Sequence, residues 1–266
     1  MKVGEALKAL APREARLLLA RATGFSEASV LAHPERELPA EAEAAFLDFA
    51  ARRARGEPIA YLLGEKEFYG LPLAVNAAVL IPRPETELLV ERALALAPAS
   101  VLDLGTGSGA VALAIKRHLA SARVVAVERS TAALAVAQRN AMKLGLEVDF
   151  HHGLWFAPVA GRRFDLVVSN PPYVAAGDPH LSQGDLRFEP ASALVSGPDG
   201  LEAIREIAAG AAAHLNPGGW LLVEHGFGQD QEVRELLRQA GLEGIESWPD
   251  LAGIARVTGG GLKSRP

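Results

Sequence analysis

Apolar positions recur at helical spacing over residues 1 to about 60, and nowhere in that stretch do they alternate as a half-buried strand requires. Val3, Leu7, Leu10, Leu17 and Leu18 approximate one helical face, and Thr23-Gly24 supplies a stop. Pro39 opens a longer helix in which Ala42, Ala45, Phe46 and Phe49 recur on one side, and Gly56 and Pro58 end it. Arg52, Arg53 and Arg55 fall in its last turn, where cations suit the helix dipole. These segments predict a small helical bundle. The rhythm then changes. Residues 66–69 and 73–75, joined through Gly70-Leu71-Pro72, predict a short hairpin. The following Leu80-Ile81-Pro82-Arg83-Pro84-Glu85-Thr86-Glu87 starts rigid and passes into a helix through Leu88, Leu89 and Val90. Glu85 or Thr86 suits helix initiation there. The two prolines do more, because they fix the direction of the Arg83 guanidinium.

From Ser100 onwards strand and helix patterns alternate, the signature of an α/β fold with a doubly wound parallel sheet. Strands are expected at 101–104, 124–127, 148–151, 164–168 and 220–224, then two closing strands at 244–248 and 254–258. Helices are expected at 110–119, 132–144, 201–214 and 233–240. The organisation reads as a helical bundle over residues 1–64, a hairpin linker over 65–80 and a sheet domain over 81–266. No internal repeat or low-complexity segment interrupts it.

Composition narrows the chemistry. Hydrophobic residues make up 49% of the 266, enough for a full core. No run approaches 18 apolar residues, and the first eleven residues lack the apolar stretch of a signal peptide, so a cytoplasmic protein without membrane contact is expected. The chain has no cysteine, which excludes disulfides, thiolate metal sites and cysteine nucleophiles. His151 and His152 are neighbours on an expected strand and face opposite ways, a poor geometry for metal, so none is expected. Net charge is −5, and residues 1–75 carry ten Lys and Arg against eleven Asp and Glu, so no electrostatic footprint for nucleic acid is visible.

Two loops at expected strand ends carry the chemistry. Asp103-Leu104-Gly105-Thr106-Gly107-Ser108-Gly109 lies between the first strand and its helix, where glycines admit close backbone approach and the helix start offers free N–H donors. Glu128 ends the second strand, nineteen residues after Gly109, where an acid can bind ribose hydroxyls. Gly105-x-Gly107-x-x-Ala110 also fits a looser dinucleotide fingerprint, which keeps an NAD(P)-dependent oxidoreductase open. Asp103 favours another cofactor: a carboxylate there would repel a pyrophosphate and attract the ammonium group of S-adenosylmethionine. The second loop, Ser169-Asn170-Pro171-Pro172-Tyr173, follows the fourth strand. Its prolines make it stiff, so the Asn170 amide and the Pro171 carbonyl become two fixed acceptors with an aromatic ring close behind.

The glycine loop, the acid after the second strand and Asn170-Pro171-Pro172-Tyr173 together resemble the class I S-adenosylmethionine methyltransferases that modify planar amide or amine nitrogens. Ile81-Pro82-Arg83-Pro84-Glu85-Thr86-Glu87, Asp178-Pro179-His180, Gly184-Asp185-Leu186-Arg187-Phe188-Glu189-Pro190 and Glu224-His225-Gly226 narrow the resemblance to the release-factor glutamine methyltransferases, over nearly the whole chain. The resemblance implies a Rossmann-like sheet of seven strands with the last antiparallel, beside a small all-α N-terminal domain and a connecting β-hairpin. It implies S-adenosylmethionine as cofactor, S-adenosylhomocysteine as product, and as substrate the glutamine of the Gly-Gly-Gln motif in class 1 peptide chain release factors. Cofactor binding is then expected from Asp103, Gly105, Thr106, Gly107, Ser108, Gly109, Glu128, Trp155 and Asn170. Asn170 and Pro171 would act in catalysis, Pro172 and Tyr173 would wall the substrate, and Arg83 and Glu85 would brace the loop from behind. The chain departs from the family where Leu154 occupies the position of a common acid near adenine, and Glu128 replaces a frequent Asp. A DNA adenine methyltransferase would share Asn170-Pro171-Pro172-Tyr173 but needs a basic target-recognition region, which the charge count lacks. A non-enzymatic cofactor-binding module would need neither Asn170 nor both prolines.

Overall fold

The computed structural model describes residues 1–264. The chain opens with α1 (Val3–Ala6), α2 (Pro12–Thr23), α3 (Glu27–Ala32), α4 (Ala40–Ala54) and α5 (Ile59–Leu63). Pro12 presets the first turn of α2, and the Ser26 hydroxyl caps α3 by accepting from Ser29 N–H. Val3, Leu18, Leu19, Val30, Phe46 and Leu62 form the bundle's core. Arg52 and Arg53 in the last turn of α4 are tied down rather than solvated: Arg52 pairs with Glu57, and Arg53 with Glu14 and Asp185.

The hairpin is β1 (Glu65–Phe68) and β2 (Leu71–Ala74), which pair antiparallel. A 3-10 turn, Pro84–Thr86, leads into α6 (Glu87–Ala95). Then follow β3 (Ser100–Leu104), α7 (Ala110–His118), β4 (Arg123–Glu128), α8 (Thr131–Leu144), β5 (Asp149–His152), β6 (Phe164–Ser169), α9 (Glu202–His214), β7 (Leu215–Glu224), α10 (Asp230–Gln239), β8 (Leu242–Pro249) and β9 (Ala255–Leu262). The seven strands lie in the order β5-β4-β3-β6-β7-β9-β8; β5 to β7 are parallel, and β9 runs antiparallel to both its neighbours. Each central strand buries both faces. Val101, Leu166 and Val168 pack with α7 and the hairpin's Phe68, Leu71 and Leu73, while Leu102, Leu104 and Val167 pack with Ile204 and Ile207 of α9. The hairpin is thus part of the sheet domain's core.

Several boundaries move. β7 begins at Leu215, before the expected residue 220, because Leu215 pairs with Phe164 ahead of a register shift. β9 runs on to Leu262 through Gly259-Gly260-Gly261, which lack any strand pattern. Packing explains it: a Cβ on Gly259 would lie 2.4 Å from Leu222 Cδ2, and one on Gly261 3.2 Å from the Trp220 ring, so neighbouring side chains fill the space. Between β6 and α9 the chain forms a strap of three short 3-10 turns, held by an isolated bridge between Val174 and Val195. Among the described residues no helix is long and apolar enough to cross a membrane.

Candidate active site

Strand order reverses at β3, whose neighbours are β4 and β6, and a pocket opens at the carboxyl ends of these strands. The glycine loop forms one wall. Gly105 N–H and Thr106 N–H both donate to Val127 O, at 2.9 and 3.1 Å, which pins the loop to β4. Gly105, Gly107 and Gly109 all have left-handed φ, at +74°, +56° and +85°, so each position requires glycine. Asp103 lies at the loop's base, 1% exposed, and its Oδ2 accepts from the Thr106 hydroxyl at 2.6 Å. Burial pushes its pKa up to about 7, against the opposing effect of Thr106. Ser108 is buried beside it.

Glu128 reaches into the same pocket from the end of β4. One carboxylate oxygen accepts from Gly107 N–H at 2.9 Å and the other from Ser130 N–H at 2.8 Å. Each keeps a free lone pair, so the carboxylate can still receive two ligand hydroxyls. Trp155 closes the other side with its ring edge over Gly105, and its indole N–H donates to Glu206 of α9. The half-exposed Leu154 completes an apolar wall.

Asn170 joins this pocket from the end of β6. Its Nδ2 donates to the Thr86 hydroxyl oxygen at 3.0 Å, which leaves Oδ1 as the free acceptor. Pro172 lines the pocket, whereas Pro171 is buried and Tyr173 stands behind the loop. Instead of walling the pocket, Tyr173 donates its hydroxyl to Glu224 Oε1 at 3.3 Å, and burial raises its pKa. Among the described residues Arg83 makes no hydrogen bond or ion pair with the Asn170 loop; it pairs with Glu189, at the foot of the strap that returns to the pocket through Pro190 and Ser192. Glu85 is exposed, and its charge helps raise the pKa of Glu224.

Three residues at this site were not among the site residues expected from sequence. Glu224 ends β7 and is 1% exposed; burial pushes its pKa up to about 7, and its Oε2 has no hydrogen-bond partner among the described residues. Thr86 is buried beside it. Asn140 of α8, fully buried, accepts from Ala74 N–H and donates to the carbonyls of Ala74 and Ser108. Thr86 and Glu224 lie in stretches that carried the family resemblance, whereas Asn140 had no local signal. His225 is structural in its contacts: its ring bridges Gly226 O and the Thr258 hydroxyl, and burial keeps its pKa low. No cluster of three metal-ligating side chains occurs among the described residues.

Residues 84–240 match the Methyltransferase small domain family, and residues 4–64 the PrmC N-terminal domain. A release factor glutamine methyltransferase of Xylella fastidiosa is 52% identical over 252 residues, covering 93% of this chain and 92% of that protein. One of Burkholderia pseudomallei is 52% identical over 260 residues, covering 94% and 91%. Among solved structures, a methyltransferase from Pyrococcus furiosus superposes with a TM-score of 0.59 at 20% identity, covering 82% of this chain and 99% of that one. The ribosomal protein L11 methylase of Lactobacillus delbrueckii subsp. bulgaricus gives 0.50 at 22% identity, covering 67% and 77%. At such identities the two structures speak for the fold alone.

Proposed function

The chain belongs to the release factor glutamine methyltransferases, and from that membership we propose that it methylates the side-chain amide nitrogen of the glutamine in the Gly-Gly-Gln motif of class 1 release factors, using S-adenosylmethionine. The pocket's donor set fits this cofactor. Asp103 supplies a carboxylate for an ammonium, Glu128 two acceptors for ribose hydroxyls, and Leu154 and Trp155 an apolar face for a base. Leu154 leaves that base without a side-chain carboxylate at this position. Bound there, the sulfonium supplies an already electrophilic methyl group.

What remains for the protein is orientation and electrostatics. An amide nitrogen is a poor nucleophile because its lone pair is delocalised into the carbonyl. Asn170 Oδ1 and the Pro171 carbonyl would each accept one N–H of the target amide. That aims the nitrogen and stabilises the positive charge that develops on it. No side-chain base is obligatory, since the methylated nitrogen is acidic enough to release a proton to water. The supporting observation is that Asn170, with its acceptor end free, shares one pocket with Asp103, Glu128 and the glycine loop.

The catalytic loop cannot choose one glutamine among many, so selection needs binding energy from a remote surface. We assign that role to the N-terminal bundle, residues 1–64. The end of α4 is joined to the strap beside the pocket, with Arg187 donating to Arg55 O at 2.7 Å and Asp185 pairing with Arg53. The test is incubation of the protein with methyl-labelled cofactor and intact release factor, followed by mass mapping. Label on the Gly-Gly-Gln glutamine is expected; label elsewhere, or none, overturns the reading.

A further inference from the structure

The two ends of an asparagine amide have nearly the same shape and opposite hydrogen-bonding character. If Asn170 turned over, its NH₂ would face the NH₂ of the substrate amide, donor against donor. Something must hold the donor end away from the substrate. In the structure that partner is Thr86, whose hydroxyl oxygen accepts from Asn170 Nδ2 at 3.0 Å. A hydroxyl alone cannot settle the matter, because it could equally donate to Oδ1 and stabilise the reversed amide. The choice depends on where the hydroxyl proton goes. Thr86 is 3% exposed, so its hydroxyl is largely screened from bulk water.

Glu224 supplies the answer. Its carboxylate lies beside Thr86, accepts the Tyr173 hydroxyl on Oε1, and holds Oε2 buried with no hydrogen-bond partner. Above about pH 7, where it is ionised, this carboxylate has no proton to give, so every neighbour must donate to it. An unpaired buried acceptor is costly, and a hydroxyl proton without an acceptor is its complement. The charged neighbours of Glu224 are Glu85 and Arg256, with Tyr173 as a further titratable group. We propose that Thr86 is a positioning residue that fixes the acceptor end of Asn170 towards the substrate, its own proton directed to the Glu224 carboxylate beside it. Protons then run from Asn170 to Thr86 to Glu224, and from Tyr173 to the same carboxylate. One buried acid thereby holds both ends of the Asn170-to-Tyr173 loop and sets its polarity. The inference rests on the methyl-transfer reading above.

The experiment, run at pH 8 where Glu224 is ionised, compares wild type, Thr86→Val and Thr86→Ser on intact release factor, measuring kcat, KM for the release factor, cofactor affinity by calorimetry and melting temperature. Valine matches threonine in shape and lacks the hydroxyl; serine keeps the hydroxyl and lacks the methyl. Thr86→Val is expected to lower kcat by about 10- to 100-fold, less than deletion of a direct partner, with cofactor affinity within about twofold of wild type. Thr86→Ser is expected to recover most of that loss. Should Thr86→Val fail to fold, Thr86→Ala takes its place against the same serine control. Unchanged kcat in the hydroxyl-free variant overturns the inference, and so does a serine variant as slow as valine, which would assign the effect to packing. An inactive wild type would instead overturn the methyl-transfer reading itself.

Discussion

Asn140 and Ser108 lie 32 positions apart, and the side chain of the first holds the backbone of the second: Asn140 Nδ2 donates to Ser108 O at 2.8 Å. The same amide accepts from Ala74 N–H at 2.7 Å and donates to Ala74 O at 3.0 Å. One buried side chain therefore fastens the hairpin and the glycine loop to α8. Asn140→Ala should unpair these groups, at roughly 1–3 kcal/mol for each that stays dry. The expected outcome is a clearly lower melting temperature together with weaker S-adenosylmethionine binding, read by thermal unfolding and calorimetry.

Asn170→Ala should remove the acceptor aimed at the target amide. Turnover on release factor is expected to fall by about 10²- to 10³-fold, with most cofactor affinity retained. Single-turnover kinetics alongside calorimetry measures both. Retention of a third of wild-type turnover would mean that Asn170 does not orient the substrate.

Glu128 has a double task, since it holds Gly107 and Ser130 N–H groups as well as facing the pocket. Glu128→Gln keeps one acceptor and places an NH₂ against a backbone donor, whereas Glu128→Ala loses both acceptors. Cofactor affinity is expected to fall in both and further in alanine, by about 1.5–3 kcal/mol per lost charge-assisted bond. Calorimetry with S-adenosylhomocysteine gives the ranking.

Asp103 and Glu224 both have pKa values raised by burial to about 7. In the unfolded chain they would ionise near 4, so between there and about pH 7 the folded state holds more protons. Their contribution to stability is full at low pH and is lost as pH rises through 7, by up to about 1.4 kcal/mol per pH unit for each group. His225, whose pKa burial lowers, works in the opposite sense below its unfolded value. Comparison of wild type with Asp103→Asn and Glu224→Gln isolates the carboxyls: each variant should lose stability less steeply from pH 5 to 7. An ammonium bound at Asp103 would draw off its proton. Cofactor affinity is therefore expected to rise between pH 6 and 8 in wild type and to stay lower and flat in Asp103→Asn.

Leu31 and Leu47 are half-exposed apolar side chains on α3 and α4. If the bundle docks the release factor, Leu47→Asp should lower kcat/KM on the intact factor by tenfold or more, in line with loss of an interface anchor worth about 1.4 kcal/mol or greater. Activity on a short Gly-Gly-Gln peptide should stay as poor as in wild type. Equal rates on the intact factor would move the docking surface elsewhere.

The parts of the fold that were legible in the sequence are those that short-range chemistry dictates. Glycines between strand and helix, prolines after Asn170 and alternating β and α periodicities are enough to locate the pocket. The parts that were not legible depend on partners far away in the chain. Thr86 and Asn170 are 84 positions apart, Arg83 and Glu189 106, and Asn140 and Ala74 66. Nothing local predicts these pairings, and Thr86 in particular reads as an ordinary helix start. The glycines of β9 were opaque for the same reason, since only Trp220 and Leu222 across the sheet make a strand of them.

The place of β9 between β7 and β8 sets an order of assembly. β8 cannot join the rest of the sheet directly, because the strand that links it to β7 comes later in the chain. The economical route is for β8 and β9 to close first as a local hairpin, which then docks as a unit on β7. Until it does, β7 presents an unpaired edge with Leu221, Leu222 and Val223 along it, the kind of surface that templates intermolecular pairing. Synthesis thus delivers the pocket's glycine loop and Asn170 early but protects the sheet late. Mutations that slow the closing hairpin, such as bulk at Gly259, should show themselves first as aggregation during folding and only afterwards as lost activity.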